Sequence, residues 1–143
     1  MPTATIVRGV PGSGKSSLAR IWSVEGFGDI ISADDFFMKG GKYYFDPRLL
    51  PQAHAQCFSH FLEYVKSGRS VIVDNVHSQK WEYKNYQLAA EMMGFEIKVF
   101  EIPCHDLDTL RMFQARNIHN VPWHTIEAIW NRWEMDSSAQ IVS

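Results

Sequence analysis

The chain has 143 residues, of which 45% are hydrophobic and 21% are charged, a composition typical of a globular protein with a real core. Its formal net charge of −2 argues against a protein that coats nucleic acid by general electrostatic attraction. No hydrophobic run reaches membrane-spanning length, and the N-terminal residues favour a strand over a signal peptide. We therefore expect one domain over residues 1–143, in the cytoplasm, where Cys57 and Cys104 are core or near-core thiols.

The first predicted element is a strand over Thr3–Arg8, and it leads into a glycine-rich loop. Residues 9–16 read Gly-Val-Pro-Gly-Ser-Gly-Lys-Ser and match the phosphate-binding pattern G-x-x-x-x-G-K-[ST] at every position. A helix is expected from Ser17 onward. Glycines allow a tight turn whose backbone N–H groups converge on an anion, and the helix start adds partial positive charge. The pattern predicts a nucleoside triphosphate site.

Each residue type of this loop suits a part of the nucleotide. Lys15 would reach the β- and γ-phosphates, and the Ser16 hydroxyl would bind Mg²⁺. The residues expected to contact ATP are Gly9, Pro11, Gly12, Ser13, Gly14, Lys15, Ser16 and Ser17.

The second predicted strand, Asp29–Ala33, ends at the acidic pair Asp34-Asp35. Phosphoryl transfer needs mostly positioning and charge neutralisation, but a kinase also benefits from a carboxylate that accepts the proton of the acceptor hydroxyl. Adjacent strand residues face opposite ways, so we expect one of the pair to face the site. We favour Asp34 as this base; Asp35 is the alternative, and a helix cap is the structural interpretation.

A loop and a long helix follow. The segment Phe36–Asp46 contains two glycines and three consecutive aromatic residues, and it predicts a mobile loop with an aromatic clamp, or a hairpin. Asp46-Pro47 then indicates a helix start, and apolar residues recur at helical spacing from Leu50 to Val65. His54 lies on that stripe, where we expect a packed core histidine.

The third predicted strand, Ser70–Asn75, is a continuous apolar run that ends in a carboxylate, as buried parallel strands do. In enzymes with a phosphate-binding loop, an aspartate in this position holds Mg²⁺ directly or through water. Asp74 is therefore the expected second metal residue beside Ser16. The alternative is an ordinary aspartate that caps the next helix.

The rest of the chain alternates helix, strand and helices. We predict a helix from Trp81 closed by Gly94, a strand over 95–102, a helix from Asp106 to Arg116, a break at 119–122, a last helix through Trp133 and a frayed tail from Asp136. This alternation predicts an α/β three-layer sandwich: a four-stranded parallel sheet in the order 2-3-1-4 with helices on both faces.

Positive charge for the transition state is expected from an arginine near the phosphates. Arg116 is the better candidate because it adjoins the break, where small kinases carry a lid; whether Arg111 joins it is left open by the sequence. Arg8, at the end of the first strand, is expected to pack rather than react.

Taken together, these motifs resemble the small P-loop kinases grouped with the 5′-hydroxyl polynucleotide kinase domain, the zeta-toxin and polynucleotide-kinase-like branch of AAA-type P-loop proteins. The resemblance extends from Ile6 to about Glu134. It rests on residues 9–16, 32–37, 44–46, 71–75, 81–82, 116–122 and 132–134.

The resemblance implies roles for individual residues. It places the general base at Asp34 and the lid arginine at Arg116. Where the phage polynucleotide kinase has an arginine that grips the acceptor's phosphate, this chain has Phe37, and a further lid arginine is replaced within His119-Asn120. These departures count against a polynucleotide acceptor and leave ATP and kinase chemistry intact.

Three hypotheses follow. The first is an ATP- and Mg²⁺-dependent kinase whose acceptor is a nucleic-acid 5′-hydroxyl or a nucleotide-like molecule. The second keeps the chemistry but takes a small molecule or a modified base as acceptor. The third is a nucleotide-dependent regulatory ATPase; the guanine-reading Asn-Lys-x-Asp pattern of GTPases is absent from the sequence.

Overall fold

A computed structural model describes residues 1–142. The strands described are β1 (Thr3–Arg8), β2 (Asp29–Ile31), β3 (Met38–Lys39), β4 (Lys42–Tyr43), β5 (Val71–Asp74), β6 (Glu96–Glu101) and β7 (Gln140–Ile141). The α-helices are α1 (Lys15–Val24), α2 (Leu50–Lys66), α3 (Trp81–Met92), α4 (Leu107–Arg116) and α5 (Trp123–Asn131). Two 3-10 helices span Ala33–Phe37 and Pro47–Leu49. None of the helices described combines the length and apolar character needed to cross a bilayer.

A parallel five-stranded sheet organises the molecule, in the order β2-β5-β1-β6-β7. Its first four strands follow the predicted order 2-3-1-4, so the α/β class and the strand order are confirmed. Alternate residues of β5 separate the two faces. Val71 and Val73 pack with α2 and α3, whereas Ile72 packs with Ala19 of α1 on the other face. All four residues of β5 are buried, which explains its continuous apolar sequence.

The fifth strand corrects the expectation of a frayed tail. β7 pairs in parallel with the outer edge of β6, and the Val142 N–H donates to the Glu101 carbonyl over 2.9 Å. The turn before β7 is anchored because the Tyr83 hydroxyl donates to Asp136 over 2.7 Å. A two-residue strand is too short to produce a hydrophobic periodicity, so the sequence carried no signal for it.

Helix α2 covers one face of the sheet, and it corrects the prediction for His54. Its buried residues Ala53, Cys57, Phe61 and Val65 recur every four positions. His54 lies one position beyond this row and is exposed, because a step of one residue rotates the side chain by about 100° around the helix.

Arg8 is buried at the end of β1 and packs, as expected. Its guanidinium forms a 3.0 Å ion pair with Glu101 and donates to the carbonyls of His77, Ser78 and Glu134 at 2.8–3.0 Å. Because all of these partners accept hydrogen bonds, the buried charge is compensated. Arg8 therefore ties β1 to the loop after β5 and to the segment after α5.

Candidate functional site

The loop between β1 and α1 adopts a conformation that requires glycine. Gly12 has φ +83°, and a Cβ on it would lie 1.8 Å from the Phe113 carbonyl oxygen of α4. A Cβ on Gly9 would lie 2.6 Å from the Ser13 hydroxyl oxygen. Gly12 therefore packs directly against the backbone of α4, and Gly9 packs against the Ser13 side chain, so neither position has room for a Cβ. Because α1 begins at Lys15, the unpaired N–H groups of its first turn face the glycine-rich loop. Helix N-termini bind phosphate in this arrangement.

The Ser13 hydroxyl fits a loop built to hold an anion. Its oxygen is buried and has no hydrogen-bond partner within residues 1–142. A buried hydroxyl without a partner costs about 1–3 kcal/mol, and a phosphate oxygen in the loop would supply that partner. Ser17, by contrast, is exposed and accepts a 3.3 Å hydrogen bond from the Arg20 guanidinium.

Ser16 and Asp74 meet at the C-terminal ends of β1 and β5. The Ser16 hydroxyl donates to Asp74 Oδ2 over 2.8 Å. Magnesium prefers oxygen ligands and is usually held by one or two carboxylates together with substrate phosphates. This hydroxyl–carboxylate pair fits that chemistry, and no cluster of three or more acidic, histidine or cysteine ligands occurs elsewhere in residues 1–142.

Both carboxylates that the sequence singled out act on the charge of Lys15. Burial lowers the pKa of its ammonium group, while the charges of Asp74 and Asp34 act in the opposite direction. Asp74 comes from β5 and Asp34 from the 3-10 helix after β2. The side chain of Lys15 is therefore within electrostatic reach of both the candidate metal residue and the candidate base.

The two aspartates of the acidic pair have different partners. They lie on the 3-10 helix rather than on a strand, because β2 ends at Ile31. Asp35 caps that helix: its carboxylate accepts the Ser32 N–H at 3.2 Å, and burial raises the pKa of its carboxyl. The Asp34 carboxylate is exposed and accepts a 3.1 Å hydrogen bond from the Tyr43 hydroxyl. The capping contact is therefore made by Asp35, whereas the Asp34 carboxylate accepts a hydrogen bond from Tyr43 instead.

Asn75 was not among the sequence-predicted site residues, yet it positions one of them. Its Oδ1 accepts the Ala33 N–H at 2.8 Å, and its amide donates to Cys57 Sγ at 3.6 Å. Asn75 thereby joins the end of β5 to the 3-10 helix that carries Asp34. The sequence signal for Asn75 was a polar residue directly after Asp74, which ends the strand that pairs with β2.

The two candidate arginines of α4 make different contacts. The Arg116 guanidinium donates to the Gly12 carbonyl over 3.0 Å and lies 5.0 Å from the Phe113 ring. Arg111 instead lies over the Trp123 ring, at 4.2 Å from its centre. Arg116 therefore contacts the glycine-rich loop, whereas Arg111 is engaged with α5.

A strand, a phosphate-binding loop and a helix at the carboxyl edge of a parallel sheet, with an arginine-bearing helix against the loop, define a P-loop kinase-like domain. The chain belongs to the family described as an AAA domain, whose model matches residues 5–136. It is 33% identical to the human (Homo sapiens) NEDD4-binding protein 2 in an alignment of 144 positions that covers 96% of this chain. The chain spans 8% of the length of that relative.

Solved structures share the fold. A Pnkp1/Rnl/Hen1 RNA repair complex matches 92% of this chain and 42% of its own chain, with 20% identity and a TM-score of 0.71. A gluconokinase from Sinorhizobium meliloti 1021 matches 99% and 82%, with 15% identity and a TM-score of 0.69. The Mycobacterium tuberculosis APS kinase CysC in complex with AMPPNP and APS matches 98% and 86%, with 14% identity and a TM-score of 0.66. The kinase-like fold is therefore shared by several proteins.

Proposed function

We propose that this domain is an ATP- and Mg²⁺-dependent kinase that transfers the γ-phosphoryl group to a hydroxyl of a nucleic-acid 5′ end or a nucleotide-like acceptor. The observation that carries the proposal is that two carboxylates, Asp74 and Asp34, follow the neighbouring strands β5 and β2, and the charges of both act on Lys15 of the glycine-rich loop. Asp74 accepts a hydrogen bond from the hydroxyl of Ser16, the residue expected to bind Mg²⁺. Asp34 does not cap a helix and is available to an acceptor. A regulatory nucleotide switch would need the first carboxylate but not the second.

In this reaction the acceptor oxygen forms a bond to the γ-phosphorus while the bond to the ADP oxygen breaks, and the acceptor's proton passes to Asp34. Lys15 and Arg116 neutralise the charge that spreads over the transferred group. The Ser16 hydroxyl and Asp74 would hold Mg²⁺, which would neutralise negative charge on the phosphate oxygens. The chain itself positions these groups on rigid strand and helix ends.

The acceptor side is formed by the hairpin of β3 and β4. Phe37, which replaces a phosphate-gripping arginine, is only 2% exposed and packs against Phe45, so it takes no part in binding a phosphate. Lys39 and Lys42 are paired directly across the hairpin and are exposed. Two like charges opposite each other are destabilising, and neither forms a salt bridge within residues 1–142. An acceptor that carries a phosphate would offset that repulsion.

A second candidate is a kinase of the same mechanism with a small-molecule or modified-base acceptor. The buried Phe37 favours this second candidate. It stands where the phage polynucleotide kinase has the arginine that grips the acceptor's phosphate, so this chain lacks that contact. The fold is shared by a gluconokinase as well as by Pnkp1, so both acceptor classes occur on related architectures.

The experiment is transfer of label from γ-labelled ATP to a panel of 5′-hydroxyl oligonucleotides, 3′-phosphorylated nucleosides, nucleosides and small alcohols. We expect a labelled acceptor with the wild-type chain and loss of label with Asp34→Asn. Asp35→Asn is the matched control, because it removes the neighbouring charge and retains most of the transfer. If no acceptor is labelled and ADP release does not respond to any of them, the domain is a regulatory ATPase, and partner binding that differs between ADP and ATP would identify it as such.

A further inference from the structure

The Asp34 carboxylate has one side-chain hydrogen bond within residues 1–142, and it comes from the Tyr43 hydroxyl at 3.1 Å. Without such a contact, the side chain of an exposed aspartate would rotate freely. A general base must point at the proton it removes, and in many active sites a third group orients it. Tyr43 binds only Oδ1, so Oδ2 is left for the acceptor hydroxyl.

Tyr43 is itself held in place by rings from two different segments. Its ring is stacked with that of Phe45 at 6.1 Å and lies edge-on to that of Phe37 at 6.1 Å. The third neighbour is His119, edge-on with ring centres 4.1 Å apart. Burial, followed by the Asp34 charge, raises the pKa of the Tyr43 phenol, so this hydroxyl stays protonated and remains a donor to Asp34.

His119 belongs to the segment between α4 and α5, three residues after Arg116. This segment is braced because the Asn117 side chain accepts the His119 N–H at 3.0 Å and donates to the Val121 carbonyl at 3.3 Å. At one end, Arg116 contacts the Gly12 carbonyl of the phosphate-binding loop. At the other end, His119 contacts Tyr43. The segment 116–119 therefore bridges the phosphate side and the acceptor side of the site.

The contact of His119 with Tyr43 is made by the ring face and edge rather than by a hydrogen bond of Nδ1. That nitrogen is buried and has no partner within residues 1–142. An aromatic ring without nitrogen would fill the same space and would leave no polar atom unsatisfied.

On the basis of the proposed kinase function, we propose that Tyr43 is a positioning residue that orients the Asp34 carboxylate, and that His119 couples this orientation to the segment that carries Arg116. When Arg116 contacts the phosphate-binding loop, His119 holds Tyr43 and Tyr43 holds Oδ1 of Asp34. Movement of the segment away from the loop releases Tyr43 and leaves the base without its fixed direction.

The test compares Tyr43→Phe with Tyr64→Phe. Tyr64 is a matched control because its hydroxyl also donates to an aspartate, Asp29, over 3.1 Å, at the outer edge of the sheet. Losing one oriented hydrogen bond predicts a fall of about five- to tenfold in kcat for Tyr43→Phe. The affinity for ATP is unchanged in both variants, and Tyr64→Phe keeps the wild-type kcat.

Two variants at His119 test the coupling. His119→Phe keeps an edge-on ring and retains kcat, whereas His119→Ala lowers it as Tyr43→Phe does. The double variant of Tyr43→Phe with His119→Ala is no slower than either single variant, because both act through the same contact. Equal kcat for Tyr43→Phe and Tyr64→Phe, or equal loss for the two His119 variants, overturns the proposal.

A second measurement distinguishes failure of this positioning network from failure of the proposed kinase function. The ¹³C chemical shift of the Asp34 carboxyl, measured by NMR at pH 7, moves in Tyr43→Phe and His119→Ala and stays in Tyr64→Phe and His119→Phe. If the wild-type chain transfers no phosphate but the shift follows this pattern, the kinase function fails while the positioning network stands. If all four variants leave the shift unchanged, the network itself is wrong.

Discussion

The Ser16 hydroxyl donates a 2.8 Å hydrogen bond to Asp74 Oδ2 and so joins the first turn of α1 to the end of β5. The two residues are 58 positions apart in the chain, and parallel pairing of β1 with β5 brings them together: Val7 lies opposite Asp74. The sheet therefore presents a hydroxyl and a carboxylate side by side beneath the glycine-rich loop. Two oxygen ligands at this place are suited to hold one Mg²⁺ against a nucleotide.

Removing either member of this pair is expected to weaken the response to Mg²⁺. Ser16→Ala removes the hydroxyl of the proposed metal site and Asp74→Asn removes its negative charge, and loss of even an outer-shell partner of a metal costs about 10–100-fold in metal affinity or activity. The measurement is the Mg²⁺ concentration for half-maximal phosphoryl transfer. Ser23→Ala, at the far end of the same helix, is the control and keeps the wild-type value. A Mg²⁺ response in Asp74→Asn equal to that of the control would contradict the assignment.

The different contacts of Arg116 and Arg111 predict different kinetic effects. Arg116→Ala removes a positive charge that contacts the phosphate-binding loop at Gly12, and loss of one electrostatic group at the transferred phosphate costs about 100–1,000-fold in kcat. Arg111→Ala removes a charge that stacks on Trp123, so kcat changes little and only the melting temperature falls slightly. Steady-state kinetics of both variants check this. A larger loss of kcat in Arg111→Ala than in Arg116→Ala reverses the assignment.

The sequence predicted the sheet order and the places of the glycine-rich loop and Asp74 in the fold because these rest on strong local patterns. The glycine-rich loop and the apolar run that ends in Asp74 each specify a backbone conformation and a place at the sheet edge. The acceptor half depends on contacts across the chain. Neither the bond from Tyr43 to Asp34 nor the ring contact of Tyr43 with His119 has a local signature, since the partners are 9 and 76 positions apart and match no helix or strand period.

The backbone conformation at Asp34 also could not be predicted from a local sequence pattern. The sequence argument used the alternation of side chains along a strand, whereas the acidic pair lies on a 3-10 helix. Capping geometry distinguishes the two aspartates: Asp35, at the third position of the helix, accepts the Ser32 N–H, whereas Asp34 does not. A short 3-10 helix produces no periodic pattern, so the sequence could not show which aspartate caps it.

Substitution of Gly12 is expected to affect both stability and nucleotide affinity. Gly12 and Gly26 both have positive φ, at +83° and +92°, but a Cβ on Gly12 meets the Phe113 carbonyl at 1.8 Å and a Cβ on Gly26 meets nothing within 4 Å. Gly26→Ala therefore costs only the backbone strain of about 1–2 kcal/mol. Gly12→Ala costs more, and it displaces α4 from the loop. Urea unfolding and nucleotide titration of the pair check this, and equal losses of stability would show that the contact with Phe113 does not matter.

The paired lysines of the hairpin predict a dependence on the acceptor's charge. The double substitution Lys39→Ala with Lys42→Ala removes two exposed positive charges next to Tyr43, so KM rises about tenfold for a 3′-phosphorylated nucleoside and stays constant for the same nucleoside without phosphate. Lys66→Ala with Lys84→Ala makes the same change in net charge elsewhere on the surface and is the control. Raised salt lessens the difference. A rise in KM that is equal for both acceptors would exclude phosphate contact by the hairpin.

The buried His77 predicts a loss of stability in mild acid. Its side chain is 2% exposed, its Nε2 has no partner within residues 1–142, and burial, followed by the charges of His54, Lys15 and Arg8, lowers the pKa of the imidazole to about 3 from an ordinary value of 6.5. The unfolded chain takes up a proton as the pH falls through 6.5, while the folded chain does not until about 3. The stabilisation is therefore complete above pH 6.5 and is lost between these two values, at up to about 1.4 kcal/mol per pH unit.

The variant that isolates this effect is His77→Asn. His77 has φ 52°, and asparagine is one of the residues that tolerate such a backbone conformation. Since the amide does not titrate, the free energy of unfolding measured by urea at pH 5, 6 and 7 falls less steeply with acid in this variant than in the wild-type chain. His124→Asn, which replaces an exposed histidine, keeps the wild-type slope. If His77→Asn also keeps that slope, His77 is protonated in the folded chain, and the buried neutral imidazole inferred from its surroundings is wrong.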